Sequence, residues 1–193
     1  MKINEVIDFI IEIDKLKSII RKTLIYSGER KENSAEHSWH LAMSTILLKD
    51  FSNYKNLDLN KCIKIALIHD LVEIYAGDTF VYAVNEETYK KELEAANELF
   101  EKIPNEVLKL EFLNLWKEFE LLETPEAKYV KAIDRFLPFI SNSLNNGFSW
   151  KQHNITEKQI RETNQHHISN GIPDLWKFTE TLIAKAKDEK LIS

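Results

Sequence analysis

With 193 residues, 44% hydrophobic and 30% charged, the chain is long enough for one sizeable core and has the balance of an ordinary globular protein. Its net charge of −5 argues against nucleic acid as the main partner, because a phosphate-tracking surface is usually basic, whereas a small phosphate substrate needs only a local positive site. The lone cysteine, Cys62, excludes an internal disulfide and points to a reducing, cytoplasmic setting; with no apolar run of about 18 residues and no signal-peptide pattern in the acidic start, no membrane partner is expected.

Val6, Phe9, Ile10, Ile13, Leu16, Ile19 and Ile20 recur at helical spacing and predict an amphipathic helix over 3–20, with a break near Asp14-Lys15. Residues 21–26 lead to a polar loop, 27–33, hinged at Gly28. Ser34 is the expected N-cap of a helix to about Phe51, with His37 in its first turn. Asp58 caps a central helix placed at about Leu59 to Tyr75, which Gly77-Asp78 breaks. Asn85 caps a charged, solvated helix over 86–102. Pro104 stands in the first turn of the next, to about Phe119. Thr124-Pro125 starts a helix that passes Asp134, kinks at Pro138 and ends at Asn145-Asn146-Gly147. Thr156 caps another to Ser169, and Asp174 caps the last to about Lys187. No strand-like alternation of useful length, repeat, low-complexity tract or Gly/Ser/Pro-rich linker is found. The expected fold is all-α, one domain over 1–193 with about eight helices, its motifs within 16–144 and helices over 156–188 packed on them.

The central helix carries the unusual chemistry. Ile65-Ala66-Leu67-Ile68-His69-Asp70-Leu71-Val72-Glu73-Ile74 is apolar on most sides, yet His69, Asp70 and Glu73 share one sector of it. An isolated buried carboxylate is costly unless it is paired, hydrogen-bonded or bound to a cation. His37, His69, Asp70 and Asp134, on three helices, are candidate metal ligands. Two imidazoles and two carboxylates suit Mn²⁺, Co²⁺, Fe²⁺ or Zn²⁺ with room for water; Mg²⁺ prefers oxygen ligands and fits less well.

Glu36-His37, then His69-Asp70, then Asp134 resembles the H…HD…D signature of the HD-domain metal-dependent phosphohydrolases. Asn33-Ser34-Ala35-Glu36-His37-Ser38-Trp39, Ala66 to Glu73, Gly77-Asp78 and Lys131-Ala132-Ile133-Asp134-Arg135 resemble the branch of the bacterial 5′-deoxynucleotidases and their eukaryotic HD-domain relatives, over about Leu16 to Leu144. The resemblance implies an enzyme that turns a (deoxy)nucleoside 5′-monophosphate into nucleoside and phosphate. His37, His69, Asp70 and Asp134 would hold one metal. Glu73 would orient or deprotonate the attacking water, or protonate the leaving oxygen, with Asp78 assisting. Arg21 would contact the substrate phosphate. Lys22 stands where the bacterial enzymes have a tryptophan that disfavours a ribose 2′-hydroxyl. It leaves deoxyribose selectivity open and offers a second phosphate contact. Two other readings stay open: an HD phosphohydrolase for a triphosphate, cyclic diester or alarmone, and a non-catalytic, metal-clamped binding module.

Single residues also have plainer readings. Cys62 is expected to be core packing. His40, His153, His166 and His167 are read as structural or surface residues. Trp116, Phe119, Phe136, Phe139, Phe148 and Trp150 are assigned to core or interface, and Trp39 or Phe80 to the pocket wall. Leu110, Phe112, Leu113, Leu115, Trp116 and Phe119 are more apolar than one helix stripe requires, which predicts a homodimer.

Overall fold

Short polar side chains decide where the helices begin. The computed structural model describes residues 2–193. Six helices start at a side chain that accepts a hydrogen bond from the backbone N–H three residues on, filling one of the donors every helix start leaves open. Asn33 opens α2 (Ser34–Leu47), Asp58 α3 (Leu59–Ile68) and Asn85 α5 (Glu86–Phe100). Asn105 opens α6 (Glu106–Leu121), Thr124 α7 (Pro125–Leu144) and Thr156 α9 (Glu157–Gly171). The remaining helices are α1 (Ile3–Asp14), α4 (Glu73–Ala76), α8 (Phe148–Gln152) and α10 (Pro173–Asp188). Only α4 and α8 are shorter than two turns, which leaves eight full helices among the described residues, as the all-α reading expects.

Two helix starts differ from expectation, Pro104 lying before the Asn105 cap of α6 and Ile172 rather than Asp174 preceding α10, which has Pro173 as its first residue; four further expectations are corrected. First, α2 is capped by Asn33, not Ser34: Glu36 N–H donates to the Asn33 side chain, and the Glu36 carboxylate accepts from Asn33 N–H, a complete capping box. Second, the central helix is not continuous. It ends at Ile68, and Leu71, Glu73, Ile74 and Tyr75 N–H groups donate three residues back instead of four. Third, a small antiparallel ribbon pairs β1 (Ile20–Leu24) with β2 (Lys31–Asn33), with Ile20 opposite Asn33, Leu24 opposite Lys31 and an irregularity between. Both strands are too short for alternation to register in the sequence, and the irregularity breaks the period further. Fourth, the surplus apolar surface of α6 is mostly consumed internally: Leu115, Trp116 and Phe119 are buried and Phe112 and Leu113 pack against them, leaving Leu110 exposed.

Helix α7 is the spine of the structure. Tyr129, Val130 and Ile133 face a first apolar cluster with Leu41, Cys62 and Ile65. Phe136 and Phe139 face a second with Trp150, Ile160 and Trp176. The helix continues through Pro138 to Leu144. Gly171 closes α9 hard against α7: a β-carbon there would sit 2.5 Å from that of Ala132. Asp134 and Arg135 lie between the two clusters, so both packing units hold the stretch that faces the site.

Candidate metal centre and active-site cleft

Three elements bring the polar residues together. His37 lies in the first turn of α2, His69 and Asp70 follow α3, and Asp134 projects from α7. His37, His69 and Asp70 are buried, and one donor atom from each falls within 4.8 Å of the others. Asp134 Oδ1 is 3.0 Å from His37 Nε2 and 3.8 Å from His69 Nε2. The three-residue hydrogen bonding after Ile68 winds the chain more tightly than an α-helix and nearly eclipses positions three apart. Asp70 and Glu73 therefore face the same way.

The donor set fits a cation. His69 Nδ1 sits 2.9 Å from the Ala66 carbonyl oxygen, which fixes the ring N–H there and leaves Nε2 with its lone pair. That Nε2 is buried and has no hydrogen-bond partner, although Asp70 Oδ1 is 2.9 Å away. Asp134 Oδ1 is its other close carboxylate oxygen, at 3.8 Å; beyond these, Glu32, Glu73 and Asp78 crowd around Arg21, and Lys131 acts on Asp134. Arg21 Nη1 donates to Asp70 Oδ2 at 2.9 Å and lies 3.8 Å from Asp78, while its Nε is 3.5 Å from Glu32. An uncompensated group of buried carboxylates is strongly unfavourable, and a divalent ion on the same donors relieves it.

The titration behaviour follows from this crowding. Burial and the Asp70 and Asp78 charges push the Glu73 carboxyl up to about 9, although Ser34 Oγ donates to it at 2.5 Å. Burial and Arg21 work against protonation of His37, but the hydrogen bond to Asp134 and the Glu32 carboxylate 3.7 Å from Nδ1 outweigh them and raise it to about 9. Burial would raise Asp134 and Asp70. Asp134 is instead held well below the usual carboxylate range by the His37 hydrogen bond and by Lys131, and Asp70 is lowered by His69 and Arg21. Burial raises Asp78.

The cluster forms one wall of a cleft of about 950 Å³, counted with its open mouth. Arg21 and Thr23 face it from β1. Lys22, between them on the strand, points to the opposite face and is exposed, so it does not line the cleft. Glu73, Asp78 and Asp134 line it; Phe80 does too, whereas Trp39 is exposed on the outside of α2. Phe119, Phe139 and Trp150 are core residues, as expected, but their edges also reach the cleft. Phe148 is 37% exposed. Cys62 is buried, with its thiol pushed up to about 12 by burial and nearby carboxylates. None of His40, His153, His166 and His167 joins the cluster; the His153 ring packs tilted against Phe80, with centroids 4.5 Å apart.

Sequence reading missed Ser34, Glu32, Lys131 and Arg135. A serine at a helix start reads as a cap, and Glu32 falls in a stretch that reads as a polar loop. The Lys131 ammonium is buried, 3.7 Å from the centre of the Phe119 ring and 3.6 Å from Glu120. Both it and Arg135 flank Asp134 within Lys131-Ala132-Ile133-Asp134-Arg135, and their positive charge there is the available signal.

The HD domain family matches residues 13–176. Among curated proteins, the 5′-deoxynucleotidase HDDC2 of Bos taurus is 31% identical over 133 residues, covering 67% of this chain and 62% of that protein. The 5′-deoxynucleotidase hdd1 of Schizosaccharomyces pombe is 32% identical over 137 residues, covering 68% and 67%. The chain spans 62% of the length of the HDDC2 proteins of Bos taurus and Homo sapiens. The crystal structure of a "predicted metal-dependent phosphohydrolase" from Magnetospirillum magnetotacticum superposes with a TM-score of 0.91 at 34% identity, over 99% of this chain and 98% of that one. A conserved hypothetical protein from Pyrococcus furiosus gives 0.62 at 26% identity, over 91% and 99%. The family match runs from the end of α1 into α10 and takes in every residue of the buried cluster; this chain belongs to the HD domain family.

Proposed function

We propose that the chain is a metal-dependent phosphohydrolase that converts nucleoside 5′-monophosphates, deoxy forms included, to nucleoside and inorganic phosphate. One observation carries this reading: a buried His37–His69–Asp70 donor cluster opens onto a cleft beside Glu73, whose buried carboxyl accepts a hydrogen bond from Ser34. The relatives' names support the substrate class.

His37, His69, Asp70 and Asp134 would hold one divalent ion, Mn²⁺, Co²⁺, Fe²⁺ or Zn²⁺, on mixed nitrogen and oxygen donors. When bound, the ion supplies Lewis-acid polarisation of the phosphoryl group and an acidified water. Glu73 moves the proton. Its carboxyl is buried on the cleft wall, oriented by Ser34 and placed to give a proton to the leaving oxygen. Asp78, at the positive-φ turn after Gly77, holds Arg21 in place and assists Glu73. Arg21 turns forked donors toward the phosphate from the floor of the ribbon. Lys22 is left out of this set because it points away.

Phosphate release from a panel of deoxy- and ribonucleoside monophosphates, triphosphates and cyclic diesters, with each metal in turn, tests the reading. Release confined to 5′-monophosphates, and lost in Asp70→Ala, is the expected result. Release from none of them by wild type would overturn it.

We further infer one folding unit, since α7 serves both apolar clusters, and a homodimer in the cytoplasm. No helix among the described residues is long and apolar enough to cross a membrane, and the one thiol is free and buried. The dimer face we favour is on α2, where Trp39, Met43, Ile46 and Leu47 form one exposed stripe at helical spacing.

A further inference from the structure

Three cations line the cleft, and they are not equivalent. Arg21 is surrounded by Glu32, Asp70 and Asp78. Lys131 is engaged by Glu120 and the Phe119 ring. Among the described residues, Arg135 has neither an ion-pair partner nor a side-chain hydrogen bond, and its Nε is buried. A half-buried guanidinium without acceptors is unfavourable in the free protein and becomes favourable when a ligand supplies them.

Its charge acts on a set of groups that only partly overlaps that of Lys131. The charges holding Asp134 low come chiefly from His37, Lys131 and His69. Arg135 instead acts on the Tyr82 phenol and the His167 imidazole. Arg135 lines the cleft together with Phe80, Tyr82 and Trp150. A second phosphate site would be built from several cations, as anion-binding pockets usually are. One fork of donors among aromatic faces is instead the arrangement that receives a nucleobase, through edge hydrogen bonds and stacking.

We propose that Arg135 binds the nucleobase of the leaving nucleoside, donating its forked N–H groups to acceptor atoms on the base edge, while the phosphate lies at the metal cluster. The inference rests on the nucleotidase reading. It makes Arg135 a specificity-determining residue with no part in the phosphoryl chemistry.

The test compares wild type, Arg135→Gln and Arg135→Lys on four deoxynucleoside 5′-monophosphates and on 2-deoxyribose 5-phosphate, which lacks a base, as substrate or competitive inhibitor. Removing a bidentate contact should lower nucleotide kcat/KM about tenfold or more, mainly through KM. The sugar phosphate should bind all three proteins equally. Lysine keeps the charge but not the fork, so Arg135→Lys should behave like Arg135→Gln, and its milder change guards against a folding defect in the first variant. An equal loss on the sugar phosphate would place Arg135 on the phosphate and overturn the proposal. So would unchanged nucleotide kinetics, or full recovery with lysine. If wild type releases no phosphate from any nucleotide, the nucleotidase reading itself fails; if wild type is active and the variants match it, only the Arg135 proposal does.

Discussion

Ser34 and Glu73 show how much of the site depends on a single position. Because Asn33 takes the cap, the Ser34 hydroxyl is free to reach Glu73 across the core. Replacing Glu73 with Gln should lower kcat by about 10²–10⁴, the usual worth of a general acid–base group. Activity within a few-fold of wild type would remove Glu73 from the mechanism. The same crowding sets a pH dependence for metal-free protein. Glu73 and His37 both titrate near 9 when folded, against 4.5 and 6.5 as ordinary values. The folded state therefore holds more protons than the unfolded state, so stability falls as pH rises. His37 contributes fully below about 6.5 and loses its contribution through 9; Glu73 loses its own over 4.5 to 9. Thermal melts in chelator should drop from pH 7 to 9, and Glu73→Gln should flatten the drop and melt higher at pH 8. A melting temperature that is flat or rises with pH would contradict both protonation assignments. Metal must displace the His37 proton, so calorimetric metal affinity should rise over the same interval with proton release. The ligands and Glu73 were legible because buried ionisable residues in an apolar stretch are conspicuous. Ser34 and Arg135 were not, because serine beside a helix start reads as a cap and an arginine gives no sign of lacking a partner.

At the scale of elements, start signals were readable wherever one side chain serves one backbone donor. Asp58, Asn85, Thr124 and Thr156 cap the helices their positions foretold. The break after Ile68 was hidden, because Leu71, Val72 and Ile74 continue the apolar pattern of α3 and the change lies only in hydrogen-bond spacing. The ribbon was hidden too, since strands of five and three residues carry too few positions to establish a period. Two substitutions probe these elements. Asn33→Ala should cost about 1 kcal/mol as a lost cap, and it should reduce activity as well, because the cap fixes the register of Ser34 and His37; a stability loss with unchanged kcat/KM would separate cap from site. Gly171→Ala forces a methyl group onto Ala132 and should cost about 1–3 kcal/mol by overpacking. Denaturant melts that show no change would mean that α7 and α9 part more easily than their close approach implies.

For the whole molecule, the all-α class follows from composition and helical spacing, whereas the surface that remains for a partner could be identified only after folding. Leu115, Trp116 and Phe119 look surplus on α6 and are core; of the two aromatics expected at the pocket wall, Phe80 lines the cleft and Trp39 is exposed. Light scattering at micromolar concentration should give a dimer mass, and Leu47→Glu on the α2 stripe should give a monomer. A wild-type monomer would remove the dimer, and a Leu47→Glu dimer would move its interface elsewhere. The metal cluster, the proton donor and the cleft make a joint claim, that this HD domain releases phosphate from nucleoside 5′-monophosphates. The most direct measurement is metal-dependent phosphate release from deoxynucleoside 5′-monophosphates by wild type and Asp70→Ala side by side. Release by wild type that requires added Mn²⁺, Co²⁺, Fe²⁺ or Zn²⁺ and disappears in Asp70→Ala is the expected result; release that survives Asp70→Ala, or none with any of these metals, would contradict it.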